Sequence, residues 1–127
     1  MSWRYFAGVI GHWVLRGFGF WAVEEKDSKR LLGGVGFWYP EGWPEPELAY
    51  WLTPDAQGKG YATEAGLKAL ETAHEVMRLE TLVSYIHPRN DASIQLAERL
   101  GAVFEGTIEF LDRGVHRVYR YSLNQQL

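Results

Sequence analysis

The chain predicts a single α/β (α+β) domain built on a mixed, mostly antiparallel sheet, with one strand–helix–strand crossover near its middle. Three observations carry this. First, 127 residues with 46% hydrophobic content supply one core. Second, β-rich runs flank short polar connections near both ends of the chain, the pattern of antiparallel pairs. Third, a strong helical stretch at residues 60–78 separates two strands, and a helix between consecutive strands makes a parallel crossover.

Each element has its own justification. "SWRYFAGVIGHWVLRG" carries apolar residues at mixed helical spacing and predicts a helix that Gly8 and Gly11 weaken. "FGFWAVEE" and "LLGGVGFWY" are β-rich on either side of "KDSKR", a connection with hairpin length and chemistry. Three prolines make "PEGWPEP" a loop, and "ELAYWLTP" is a third strand that stops at Pro54. The main helix, "GYATEAGLKALETAHEVMR", presents Ala62, Ala65, Leu70, Ala73, Val76 and Met77 as its apolar positions. "ETLVSYI" is a strand and "HPRN" a turn. "DASIQLAERLG" is a short helix with Asp91 suited to the N-cap, Gly101 to the C′ position, and a core stripe of Ile94, Leu96, Ala97 and Leu100. "AVFEGTIEFL", "DRG" and "VHRVYRYSL" form a closing hairpin.

Composition narrows the function. No cysteine is present, which excludes disulfides, thiolate metal sites and a cysteine nucleophile. A net charge of −3 gives no general attraction to nucleic acid or an acidic membrane, and no run approaches the roughly 20 apolar residues of a membrane span. The amino terminus lacks a secretory layout, so a cytoplasmic protein is expected. No two histidines have a ligand spacing such as H-x-x-x-H, so no metal is expected.

The most informative stretch is "DAQGKGYATEA", Asp55 to Ala65, where Gly58, Gly60 and Ala62 crowd the mouth of the main helix. Unpaired first-turn N–H groups and the helix dipole favour an anion there, and glycine lets a phosphate reach the backbone. An ordinary glycine-containing turn is the alternative from these residues alone. Neither G-x-G-x-x-G after the first strand nor G-x-x-x-x-G-K-[ST] occurs, which removes the dinucleotide and P-loop readings.

"QGKGYA" resembles the Q/R-x-x-G-x-G/A signature by which the GNAT acetyltransferase superfamily holds the pyrophosphate of acetyl-coenzyme A. "ELAYWLTPDAQGKGYATEA" around it, and "NDASIQLAERLGAVFEG" downstream, resemble the two extended patterns of the branch that includes the ribosomal-protein N-terminal acetyltransferases. The likeness runs from about Phe18 to the C-terminus. It implies a GNAT-like sheet with splayed central strands and flanking helices, a single domain over residues 1–127, and acetyl-CoA as co-substrate. Relatives usually begin with a strand and helix that have no counterpart here. Either a second copy covers the sheet edge this leaves open, and a homodimer is expected, or the chain is a fragment with an incomplete acceptor pocket.

The resemblance also implies site residues. The backbone at Trp51 and Leu52 would bond the pantetheine arm, and the loop Gln57, Gly58, Lys59, Gly60, Tyr61 and Ala62 would hold the pyrophosphate. Thr63 would add a hydroxyl, while Lys59 is either a phosphate contact or a solvated loop charge. Asn90 matches the family asparagine that contacts the cofactor, and is also a good turn residue. Glu47 and Glu109 compete as the general base. Ser93 matches a serine near the coenzyme sulfur and is the candidate proton donor; the tyrosine that other members carry four residues on is here Ala97. His87 and the aromatic run Phe37, Trp38, Tyr39 and Trp43 are candidates to face the acceptor. The leading function is therefore N-acetylation of a primary amine, on a small molecule or a protein N-terminus. The alternative is a non-catalytic CoA-binding or dimerising remnant.

Overall fold

A computed structural model describes residues 3–110 and 112–123. In chain order the elements are α1 (Trp3–Arg16), β1 (Phe20–Glu24), β2 (Leu31–Trp38), β3 (Glu47–Leu52), a 3-10 turn (Pro54–Ala56) and α2 (Tyr61–Glu75). There follow β4 (Val83–Ile86), α3 (Asp91–Arg99), β5 (Val103–Glu109) and β6 (Val115–Arg120). All the predicted elements form. Ser2 of the first predicted helix and Leu111 of the closing hairpin lie outside the described residues.

The six strands make one sheet in the order β1-β2-β3-β4-β6-β5. Every neighbouring pair is antiparallel except β3 and β4, which are parallel because α2 carries the chain across between them. That pair meets through one register position, Glu47 with Val83, whereas β2 and β3 match over the whole of β3. The middle of the sheet is therefore a seam that opens away from Glu47.

α2 and α3 cover one face. Phe37, Leu48, Leu82, Ile86 and Tyr119 pack there against Ala69, Ala73, Leu96 and Ala97. Small residues on α2 let the helices close up, and a Cβ on Gly66 would sit 2.7 Å from Leu100 Cδ1. Leu48 and Leu82 are fully buried, so truncating either to alanine would cost about 2–5 kcal/mol. On the other face Val83, Tyr85, Phe110 and Val118 form a second cluster, packed by Trp43 and Ile108.

α1 is pinned to the sheet by polar contacts as much as by packing. His12 is buried, stacks on Trp38, bonds the Phe18 carbonyl through Nδ1 (2.8 Å) and accepts from the Tyr39 N–H at Nε2 (2.8 Å). Burial and this neutral tautomer go together, and the ring's proton affinity is lowered chiefly by desolvation. The outward side of α1 leaves Trp3, Phe6, Ile10, Val14 and Leu15 exposed.

Two local expectations need correction. Asn90, not Asp91, is the N-cap of α3, its Oδ1 accepting from the Ser93 N–H at 3.2 Å; Asp91 already lies in the first turn. Val76 is 70% exposed, because α2 ends at Glu75 and the chain turns away before Val76 can face the core. Gly101 does take the left-handed C′ conformation, with φ of +92°.

Candidate active site

The seam sets the geometry. The Val83 N–H donates to the Pro46 carbonyl, and the Thr53 N–H donates to the Leu32 carbonyl on the opposite side. Backbone groups alternate along a strand, so those of Leu48, Tyr50 and Leu52 face the seam while those of Trp51 face β2. Trp51, expected to offer its backbone to the pantetheine arm, thus has that backbone on the β2 side, and its neighbour Tyr50 faces the seam; the Trp51 side chain lies across Gly34, where an added Cβ would meet its Nε1 at 2.8 Å.

Side chains satisfy the groups that a full ladder would have paired. Ser84 Oγ donates to the Leu48 carbonyl at 2.7 Å and lies 2.9 Å from the Tyr121 hydroxyl; with its one proton committed, it accepts from the tyrosine. Gln57 Nε2 donates to the Leu52 carbonyl at 3.3 Å. The Tyr85 N–H donates to Glu47 Oε2 at 3.1 Å. Tyr50 is left as the β3 residue whose backbone faces the gap.

Beyond β3 the loop keeps its small residues for a physical reason. Gly58 and Gly60 have φ of +77° and +85°, and no heavy atom lies within 4 Å of a Cβ built on either. The backbone there is both left-handed and open to an approaching group. Gly60 is the N-cap of α2 and supplies no side-chain cap, so the N–H groups of Tyr61, Ala62 and Thr63 enter the helix without one. Lys59 is exposed. The Tyr61 hydroxyl donates to Glu25 at 2.9 Å. Arg99, from the end of α3, donates to the Thr63 hydroxyl at 3.3 Å and brings a guanidinium to the same helix mouth. Sequence reading missed Arg99, since nothing in the motif links positions 36 residues apart.

Glu47 lies where the seam closes. It is partly buried; Trp43 Nε1 donates to its Oε1 at 3.0 Å, and burial pushes its pKa up to about 7 against the lowering effect of these donors. Glu109 is not brought near it. It ends β5 on the outer edge, exposed, with β6 and β4 intervening before β3, about 14 Å of sheet. Its neighbour Ile108 packs on Glu47's face, so Glu109 alternates onto the other.

Across the sheet, Ser93 is partly buried in the first turn of α3, and the Tyr50 hydroxyl reaches its carbonyl at 3.4 Å. Tyr50 and Ser93 thus approach the seam from one face and Glu47 from the other. Asn90 spends its carbonyl oxygen on the α3 cap and is exposed. Of the four aromatic candidates, Phe37 is fully buried, Trp38 is taken by His12, Tyr39 lies under Arg16, and Trp43 alone bonds Glu47. His87 is exposed, its ring edge-on to His116.

A hollow of about 780 Å³ lies elsewhere, between β1 and α2, floored by Trp21, Val23 and Val35 and roofed by Tyr61, Ala65 and Ala69. It sits over the sheet edge, away from Glu47 and the seam. Among the described residues, no three His, Asp or Glu side chains group as a metal site, and no helix is long and apolar enough to cross a membrane.

Comparison with known proteins agrees with this geometry. Residues 1–103 match the family model described as an acetyltransferase (GNAT) domain. The chain is similar to an acetyltransferase from Agrobacterium tumefaciens, with a TM-score of 0.86 and 32% identity over 94% of this chain and 70% of that one. It shares the fold of spermidine N-acetyltransferase from Vibrio cholerae in complex with CoA and spermine, with a TM-score of 0.72, 23% identity, and 94% and 73% of the two chains covered. Among curated relatives it is 29% identical over 111 residues to the Bacillus subtilis protein YkkB, covering 85% of this chain. It is 30% identical over 81 residues to the N-acetyltransferase YnaD of the same organism, covering 64% of this chain. The chain spans 64% and 48% of the lengths of these two relatives. A family match over most of the sequence, on a sheet that opens between β3 and β4 and a glycine loop at the mouth of α2, means that the chain belongs to the GNAT acetyltransferase family.

Proposed function

We propose that the protein transfers an acetyl group from acetyl-CoA directly to a primary amine, of a small molecule or a protein N-terminus, with Glu47 as general base. The observation that carries this reading is a partly buried carboxylate at the closed end of the seam, with a pKa near 7.

The residues fit acetyl-CoA. Gly58 and Gly60 have room for a pyrophosphate against the backbone, and the first-turn N–H groups of α2, with Thr63, Arg99 and Lys59 nearby, favour its charge. The seam-facing groups of Tyr50 suit an amide-bearing arm. Bound there, the coenzyme supplies the acetyl thioester. Glu47 takes the proton that the acceptor amine must lose, which a carboxylate matched to neutral pH does well. The N–C bond forms as the C–S bond breaks, and the leaving sulfur is protonated from the Ser93–Tyr50 side. A phenol is the stronger acid of the two hydroxyls, so Tyr50 shares the donor role expected of Ser93.

Release of thiol from acetyl-CoA over an amine panel tests the activity. Glu47→Gln should lower kcat by about 10²- to 10⁴-fold and abolish the acid limb of its pH profile, while Glu109→Gln keeps both. An acid limb retained in Glu47→Gln would remove Glu47 as the base. The second reading, a CoA-binding remnant without turnover, is favoured by Ala97 in place of the tyrosine. Acetyl-CoA binding with no turnover on any amine would establish it. We also infer a homodimer from the apolar outer side of α1; a monomer by light scattering at micromolar concentration would overturn that inference.

A further inference from the structure

We propose that Trp43 is a positioning residue for the reaction: held by contacts with Phe110 and Arg113, its indole N–H fixes the orientation of Glu47 and favours the carboxylate over the carboxylic acid. The inference rests on the reading of Glu47 as base, and assigns the loop before β3 a part in the chemistry.

The loop is built to hold one ring in place. Pro40, Pro44 and Pro46 restrict it, Gly42 takes a φ of +92°, and the Trp43 N–H closes a turn onto the Pro40 carbonyl at 3.1 Å. The indole is thereby presented to the sheet. Phe110 meets it edge-on, with centroids 5.0 Å apart at 84°, and the Arg113 guanidinium carbon stands 5.3 Å from its ring centroid. Phe110 directly follows β5 and Arg113 lies in the β5–β6 turn, so the closing hairpin supplies both ring contacts.

The two carboxylate oxygens are served differently. Oε2 has the Tyr85 N–H, a backbone donor fixed by β4, and Oε1 has the indole. Only the second can be altered without touching the sheet. The charged and titratable groups around Glu47 are Arg113 from the hairpin turn, Tyr85 on β4, Tyr50 on its own strand and Tyr121 after β6. Glu45, on the same loop, is occupied by Arg120. Arg113 is thus the cation that acts on Glu47, through space and without an ion pair, while its guanidinium stands over the Trp43 ring.

A donor to the charged form lowers a carboxyl's proton affinity, so deleting the donor raises it. Trp43→Phe keeps an aromatic wall and removes the N–H. With carbon-13-labelled glutamate, Glu47 is assigned by its absence in Glu47→Gln and titrated by NMR. The titration midpoint in Trp43→Phe should rise by about one pH unit. The acid limb of kcat should move upward with it, and KM for the amine should change less. An unchanged midpoint in folded Trp43→Phe overturns the proposal. A midpoint that moves while the rate profile stays put confirms the hold of Trp43 on Glu47 and removes Glu47 as base. If Trp43→Phe does not fold, Arg113→Met serves as the second test: the midpoint should rise by a smaller amount, and no rise overturns the proposal.

Discussion

The sharpest test of the loop compares two glycines with the same backbone strain and different surroundings. Gly60 and Gly17 have φ of +85° and +80°, and neither has a heavy atom within 4 Å of an added Cβ. Glutamate at either position should carry the same left-handed penalty of roughly 1–2 kcal/mol. For a domain of this length that lowers Tm by about 4–8 °C. Binding separates them. Gly60 starts α2, whereas Gly17 follows α1 at the opposite end of the sheet, before β1. A carboxylate about 6 Å from a phosphate, at an effective dielectric near 20 and after salt screening, opposes binding by about 2 kcal/mol. Isothermal titration with acetyl-CoA should therefore show at least about thirty-fold weaker binding for Gly60→Glu and an unchanged Kd for Gly17→Glu. Equal losses in the two, or none at Gly60, would refute the placement of the pyrophosphate.

Two stability predictions follow from the carboxylates. The proton affinity of Glu47 is raised in the folded state, so its contribution is fully present below pH 4.5 and is lost as pH rises through about 7. Glu47→Gln should remove that loss and gain up to about 3 kcal/mol at pH 8 in urea unfolding, and a destabilised variant at that pH would contradict the burial argument. Glu45 and Glu105 show the reverse, held below 4.5 mainly by bonds from Arg120, which joins both across β6. Their contribution is present above 4.5 and lost as pH falls through the lowered values; melts between pH 3 and 7 should show that acid loss shrinking in Arg120→Met.

The sequence and the structure agree where local chemistry decides and part where the topology does. Periodicity and turn residues located every helix and strand, and the glycines read as giving close access to the loop backbone do stand in open, left-handed backbone. Asn90 and Asp91 both suit an N-cap by type, and the choice between them depends on which is the last residue outside the helix. The competition between Glu47 and Glu109 is geometric: Glu47 begins β3 and Glu109 ends β5, and the order of the strands puts both β4 and β6 between them. The Tyr50–Ser93 and Arg99–Thr63 contacts link residues 43 and 36 positions apart and leave no periodic trace. The bond from Trp43 to Glu47 spans four residues, but a loop gives no rule comparable to helical spacing by which to expect it.

The gap between β3 and β4 has one further effect, on association with other chains. Exposed rows of backbone donors and acceptors normally recruit a strand from another molecule. Here the row starts at paired distance, about 4.8 Å, where Glu47 meets Val83, and a strand would need about twice that separation along its whole length. With its closed end fixed at Glu47 and Val83, the seam cannot take a full-length pleated strand between β3 and β4. Ser84 and Glu47 also occupy part of the row from within. The protein can thus keep hydrogen-bonding capacity open in the middle of its sheet without offering a template for aggregation.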